Sequence, residues 1–166
     1  MSSNPRERPR RGVNPQEFRR ACGRFATGVA VASVFDPGGE PHGITVNSFS
    51  SISLEPPLVL IAVGLSAGIL KHFHAAPRFA LNILREDQEY LSVHFARKGR
   101  DRFESVPCRE VRGVPLIPGV LAALECETSE IHRAGDHDLL IALVTAAEIH
   151  RGRPLLYFAS AYGSMG

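Results

Sequence analysis

The sequence predicts a mainly β protein, an antiparallel barrel, closed or partly open, with a few short helices laid over it. Three observations carry this. Apolar, β-branched runs recur along the chain ("VAVASVF", "PLVLIAV", "RFALNIL", "LLIALV", "PLLYF") and are bounded by Gly, Pro and polar turn residues, as strands are. The helical patterns between them are short and do not alternate regularly with the strands, which sets aside a parallel sheet with crossover helices. A chain of 166 residues with 44% hydrophobic content supports one real core and leaves little room for a second domain.

The elements follow in order. Residues 1–13 form an Arg- and Pro-rich tail, expected to be disordered; four arginines and one glutamate give it +3 against +2 for the whole chain, so the body stands at −1. A body of that charge does not ask for nucleic acid. No apolar run is long enough to span a bilayer and no secretory leader is visible, so the expectation is a cytoplasmic protein away from membranes. The folded domain, 14–166, opens on a helix: Asn14 caps it, Pro15 takes its first position, Glu17 completes the capping pattern, and Phe18, Cys22 and Phe25 make its apolar stripe.

At Thr27-Gly28 the period changes, and "VAVASVF" enters a turn at "DPGGE", with a return strand from near His42. "PLVLIAV" is a buried strand. "SAGILKHFHAA" is a short helix turning Ile69, Leu70 and Phe73 inward, and "RFALNIL" is again strand. "EDQEYLSVHFA" is a helix with Leu91 and Phe95 on one face and acids in its first turn. Residues 97–119 read mostly as loop. "LAALECETSEIH" and "DLLIALVTAAEIH" form a long hairpin around "RAGDH", and "PLLYF" closes the series. Cys22, Cys108 and Cys126 are odd in number and far apart, without CxxC spacing, so they are expected as reduced and mostly buried thiols.

Several segments carry chemistry. "GLSAG", residues 64–68, matches the nucleophile-elbow pattern, with Ser66 as nucleophile and Asp101 or Asp136 and His137 or His150 following in workable order; the absence of a parallel sheet argues against it, and Ser66 equally suits a helix cap. Neither a GxGxxG turn nor a P-loop is present. A nucleotide would instead be held by hydroxyls and backbone amides on loops, and "TVNSFSSIS", residues 45–53, supplies Thr45, Asn47, Ser48, Ser50 and Ser51 beside an apolar wall. The competing reading is that these hydroxyls face water or cap turns. His72 and His74, two apart, fall on different faces of a helix, while His132, His137 and Cys126 lack ligand spacing, so no metal site is expected. "AGDHD" is either a plain hairpin turn or a ligand-facing loop.

Taken in this order, "FRRACGRFATGVAVAS", "HGITVNSFSSISLEPPLVLIAV", "FALNILREDQEYLSVHFA", "LECE", "AGDHDLLIALV" and "PLLYF" resemble the flavin reductase family of the FMN-binding split-barrel fold, the reductase components of two-component flavin-dependent monooxygenases. The resemblance runs over roughly residues 15–162 and implies an NAD(P)H-dependent reduction of FMN or FAD, a homodimer, and delivery of reduced flavin to a partner monooxygenase. It places Thr45, Val46, Asn47 and Ser48 along the flavin ring, Ser50 and Ser51 nearer its ribityl chain and phosphate, and Ser66 on the phosphate at a helix N-terminus. Arg97, Lys98 and Arg102 are the basic candidates for further phosphate contacts. His137 is the one residue assigned to the catalytic step, as the group that positions the nicotinamide, with Tyr162 as its neighbour. Where relatives follow the "PLLYF" strand with a basic residue, this chain has Ala159, Ser160 and Ala161 before Tyr162, which puts that nucleotide contact in doubt. A flavin carrier of the same fold without turnover is the alternative, ahead of a serine hydrolase.

Overall fold

The computed structural model describes residues 12–97, 99 and 103–165. In chain order the elements are α1 (Pro15–Cys22), β1 (Thr27–Gly28), β2 (Ala30–Phe35), β3 (Pro41–Val46), β4 (Ser50–Leu54), β5 (Pro57–Gly64), α2 (Leu70–Ala75), β6 (Arg78–Ile83), a 3-10 turn (Glu86–Gln88), α3 (Glu89–Ala96), β7 (Arg109–Val111), β8 (Val114–Leu116), β9 (Ala122–Ala134), β10 (His137–Ile149), β11 (Leu156–Phe158) and β12 (Ala161–Gly163). Seven strands form one sheet in the order β3-β2-β6-β9-β10-β5-β4, every pair antiparallel. The sheet curls round so that Ser48, just past the end strand β3, accepts a hydrogen bond from the Ala62 amide of β5 and donates one to its carbonyl, each 3.0 Å.

The run "VAVASVF" is apolar but for Ser33 because both of its faces are buried. Ala30, Ala32 and Val34 point into the barrel with Val46, Ile61, Val63, Phe79, Leu81, Leu140 and Ala142. Val29 and Val31 point outward into a second core built with Leu91 and Phe95 of α3, Val114 and Leu116 of β8, Ile117 and Leu155. Helix α2 plugs the barrel with Ile69, Leu70 and Phe73. Gly43 is what lets α3 lie on β3: a Cβ there would stand 2.7 Å from the Phe95 ring and 3.1 Å from Phe103. Between the layers, buried Asn82 donates to the Val31 carbonyl and to Ser33 Oγ and accepts from the Ile117 amide, so the polar atoms enclosed there are paired.

The cap of α1 is as expected, with Asn14 accepting from the Glu17 amide at 2.9 Å, yet among the described residues nothing buries its apolar stripe. Phe18 is 58% and Phe25 78% exposed, and Cys22 is exposed as well, so of the three cysteines only Cys126 is buried. Four short strands were not legible. β4 carries too many serines to show a pattern; β7 and β8 turn through Arg112 and Gly113, both at positive φ, inside the segment expected as loop; and β12 returns on β11 through Ala159 and Ser160, also at positive φ, without a glycine to announce the turn. The Arg-rich tail through residue 11, and Lys98, Asp101 and Arg102, lie outside the described residues.

Candidate functional site

Three of the segments singled out in the sequence come together. On β5, Gly64 pairs directly with His137 of β10, and the Leu65 amide donates to the Asp136 carbonyl at 2.9 Å, so the "GLSAG" turn and the "GDH" turn are zipped side by side. Ser48 holds Ala62, two residues before Gly64, which brings the exit of β3 to the same place. Beyond it, Asn47 and Phe49 line a cleft of about 360 Å³ whose other wall is Phe25, Thr27, Gly28, Val29, Ala30 and Ile83.

His137 is half exposed. Its Nδ1 lies 2.8 Å from a carboxylate oxygen of Asp136, which only accepts, so Nδ1 carries a proton, and in the neutral tautomer this leaves Nε2 as an acceptor beside Gly64. The same bond holds the Asp136 carboxyl below its usual range. The turn itself is anchored from underneath. Asp138, 2% exposed, accepts from Arg133 Nε at 2.6 Å and from His74 of α2 at 2.8 Å. Arg133 first, and His74 less strongly, hold its carboxyl below the usual value. At the other end of the sheet Glu125, also 2% exposed, is lowered chiefly by Arg112, whose guanidinium nitrogens bond both of its oxygens.

Groups with lowered folded-state pKa contribute stability that is present above their unfolded values, 3.8 for Asp and 4.5 for Glu, and lost as pH falls through the folded ones. Tm is therefore expected to be flat near neutrality and to drop below about pH 4. Asp138→Asn should flatten that acid limb in melts followed by circular dichroism. An unchanged slope in the variant would refute the role given to Asp138.

The remaining candidates distribute as follows. The Thr45 hydroxyl donates to the Ser92 carbonyl of α3 at 2.6 Å, and Ser92 Oγ pairs with the Tyr162 hydroxyl at 2.8 Å; Tyr162 is thus tied into the second core and not to the His137 turn. The Val46 side chain belongs to the barrel core, leaving only its backbone for a ligand. Ser50 and Ser51 open β4 with exposed hydroxyls, joined only by a 3.5 Å contact from Ser50 Oγ to the Ser51 carbonyl. Arg97 lies apart, in a second cavity of about 480 Å³ on the outer face of α3 with Glu89, Tyr90, Val93 and His94.

Two expectations for Ser66 are corrected. α2 begins at Leu70, with Ile69 at its cap and no side-chain capping bond, so exposed Ser66 neither caps the helix nor stands at its N-terminus. The hydrolase reading fails on the same ground and on the sheet, which is antiparallel throughout, whereas a nucleophile elbow needs a parallel strand followed at once by its helix. Among the described residues no hydrogen bond joins Ser66 to a histidine. Burial pushes the Cys126 thiol up to about 12, so it offers no nucleophile at neutral pH.

Sequence reasoning missed Thr27. Its Oγ1 is buried without a hydrogen-bond partner, at the wall of the cleft that Asn47 lines. A buried hydroxyl left unpaired is costly, and a ligand with polar atoms on its edge relieves that cost. The next residue is a glycine at which an added Cβ would meet nothing within 4 Å, so the space in front of β1 is open. An apolar cleft with few polar groups, in the roughly 300–1,000 Å³ range of small-molecule sites, fits a planar ring such as that of a flavin. The break in hydrophobic period at Thr27-Gly28 was the one available signal.

Comparison with known proteins agrees with this geometry. The profile of the flavin reductase like domain matches residues 22–166. An FMN reductase (NADH), SmoA of Agrobacterium fabrum, is 42% identical over 92% of this chain and 87% of its own. Among solved structures, the NADH:FAD oxidoreductase SgcE6 of Streptomyces globisporus superimposes with a TM-score of 0.87 at 35% identity, covering 96% of this chain and 99% of that one. The styrene monooxygenase flavin reductase of Pseudomonas putida S12 gives 0.83 at 37% identity over 90% and 97%. With its antiparallel split barrel and a match across most of its length, the chain belongs to the flavin reductase family.

Proposed function

We propose that this protein is an NAD(P)H:flavin oxidoreductase that reduces FMN or FAD and supplies the reduced flavin to a separate flavin-dependent monooxygenase. The observation that carries the reading is the cleft between Thr27–Ala30 and Asn47–Phe49, with its unpaired Thr27 hydroxyl, adjoining the joined turns at Gly64 and His137. The flavin brings the hydride-accepting ring, so the protein's work is binding, alignment and exclusion of water. Phe25, Phe49 and Ile83 give the ring an apolar bed, and Thr27 and Asn47 meet its polar edge. Ser50, Ser51 and Ser66 present exposed hydroxyls for the ribityl chain and phosphate. His137 offers Nε2 to the carboxamide of the nicotinamide.

The reading includes a cytoplasmic homodimer. Its support is the set of large apolar side chains left in water: Phe18 and Phe25, Leu54 at 94%, Ile149 at 83% and Phe158 at 45% exposed. None of the described helices is long and apolar enough to cross a membrane.

The test is steady-state oxidation of NADH, and in parallel NADPH, with FMN, FAD or no flavin added, followed by loss of the reduced nicotinamide absorbance. Turnover is expected to rise and saturate with an added flavin, with NADH as the preferred donor. Flavin binding by fluorescence quenching without turnover from either nucleotide would replace the reductase with a flavin carrier.

A further inference from the structure

We propose that Asp36, His42 and His72 form a binding site for a divalent transition-metal ion, Zn²⁺ in the first instance, which clips helix α2 to the β2–β3 hairpin. The site is independent of the flavin cleft. Among the described residues these three are the set whose potential ligand atoms all lie within 4.8 Å of one another. They come from three segments: Asp36 directly follows β2, His42 lies on β3 and His72 on α2. Two imidazoles and a carboxylate are a donor set for zinc, nickel or cobalt and a poor one for calcium or magnesium, which take oxygen ligands. Sequence spacing set His72 beside His74; the fold parts them, sending His74 to Asp138 and His72 to His42.

The geometry goes further than proximity. His42 Nε2 faces Asp36 Oδ2 at 3.2 Å. An ion at the usual 2.0–2.2 Å from each atom would subtend an angle of about 100° there, compatible with tetrahedral coordination. Asp36 can spare that oxygen, because its other one, Oδ1, already accepts from the Gly38 and Glu40 amides and fixes the side chain in place. The two imidazoles are stacked, centroids 4.0 Å apart and planes within 7°. Parallel rings cannot both aim in-plane lone pairs at one ion. The ion therefore enters the Asp36–His42 notch first, and partly buried His72 completes the set by turning its ring; solvent takes the open coordination position.

The experiment is titration of the tag-free full chain with ZnCl₂ by calorimetry, and with CoCl₂ by visible absorption. One ion per chain is expected, with a tetrahedral Co²⁺ band and a Tm raised by about 5–10 °C at one hundred times Kd. His42→Ala and His72→Ala should each weaken binding by at least the 10–100-fold that loss of even an outer-shell partner costs. Asp36→Asn keeps the turn-forming Oδ1 and should weaken binding without lowering the metal-free Tm. His132→Ala, removing an exposed histidine paired only with Glu130, should change nothing. Absence of a one-to-one complex, or binding that survives both histidine changes, overturns the site; if a histidine variant fails to fold, the Asp36→Asn titration decides alone.

Discussion

Phe73→Ala is expected to destabilise the protein by about 3–5 kcal/mol, the cost of emptying a fully buried aromatic site. Phe73 is 1% exposed and packs edge-on against Phe79, ring centroids 5.6 Å apart, at the point where α2 enters the barrel. The helix has six residues, far too few to be stable by itself, so its position rests on Phe73, Ile69 and Leu70. The effect should reach the site before the molecule unfolds, because α2 also carries His74, which grips Asp138 beneath the His137 turn. Urea unfolding should show the full loss for Phe73→Ala as a lowered midpoint at unchanged slope. A loss below about 1 kcal/mol at Phe73 would mean that α2 is held by something other than its apolar face.

Why some of this was legible and some not has a common cause. Strands β2, β5 and β6 and the β9–β10 hairpin announced themselves because burial selects long apolar runs, and the register that brings Gly64 opposite His137 follows from two such runs meeting. Elements held by single contacts left no trace. β8 is placed by Val114, Leu116 and the Asn82 bond to Ile117, and β12 by Tyr162 on Ser92, and three-residue strands show no period. α1 misled in the opposite way: its stripe of Phe18, Cys22 and Phe25 promised burial that the described residues do not supply.

The candidate site divides along the same line. A string of hydroxyls marks a polar segment but not which oxygens are free. In the fold Thr45 and Ser48 spend theirs on the Ser92 carbonyl and on Ala62, locking α3 to β3 and closing the barrel, while Ser50, Ser51 and Ser66 keep theirs exposed. The sequence marked Thr27 only as a break in period, because its importance comes from a missing partner and not from its neighbours in sequence. Likewise Asp36, His42 and His72 span 37 positions inclusive of both ends and meet only because β2, β3 and α2 do.

His137→Ala should raise KM for the reduced nicotinamide about tenfold, the loss of a hydrogen bond plus contact area, while kcat and the flavin KM stay within about twofold. The turn that carries His137 is held without it, by the Leu65 amide on the Asp136 carbonyl and by Asp138 between Arg133 and His74, so truncating a half-exposed ring leaves the backbone where it was. What goes is Nε2, which Asp136 at Nδ1 keeps as an acceptor. An acceptor of that kind orients a carboxamide; it moves no proton in a hydride transfer, so the barrier from the bound complex should be nearly unchanged. His137→Asn, which keeps a polar group on a shorter side chain, should recover part of the nicotinamide affinity. The opposite pattern, kcat falling a hundredfold with KM unmoved, would make the imidazole part of the chemical step.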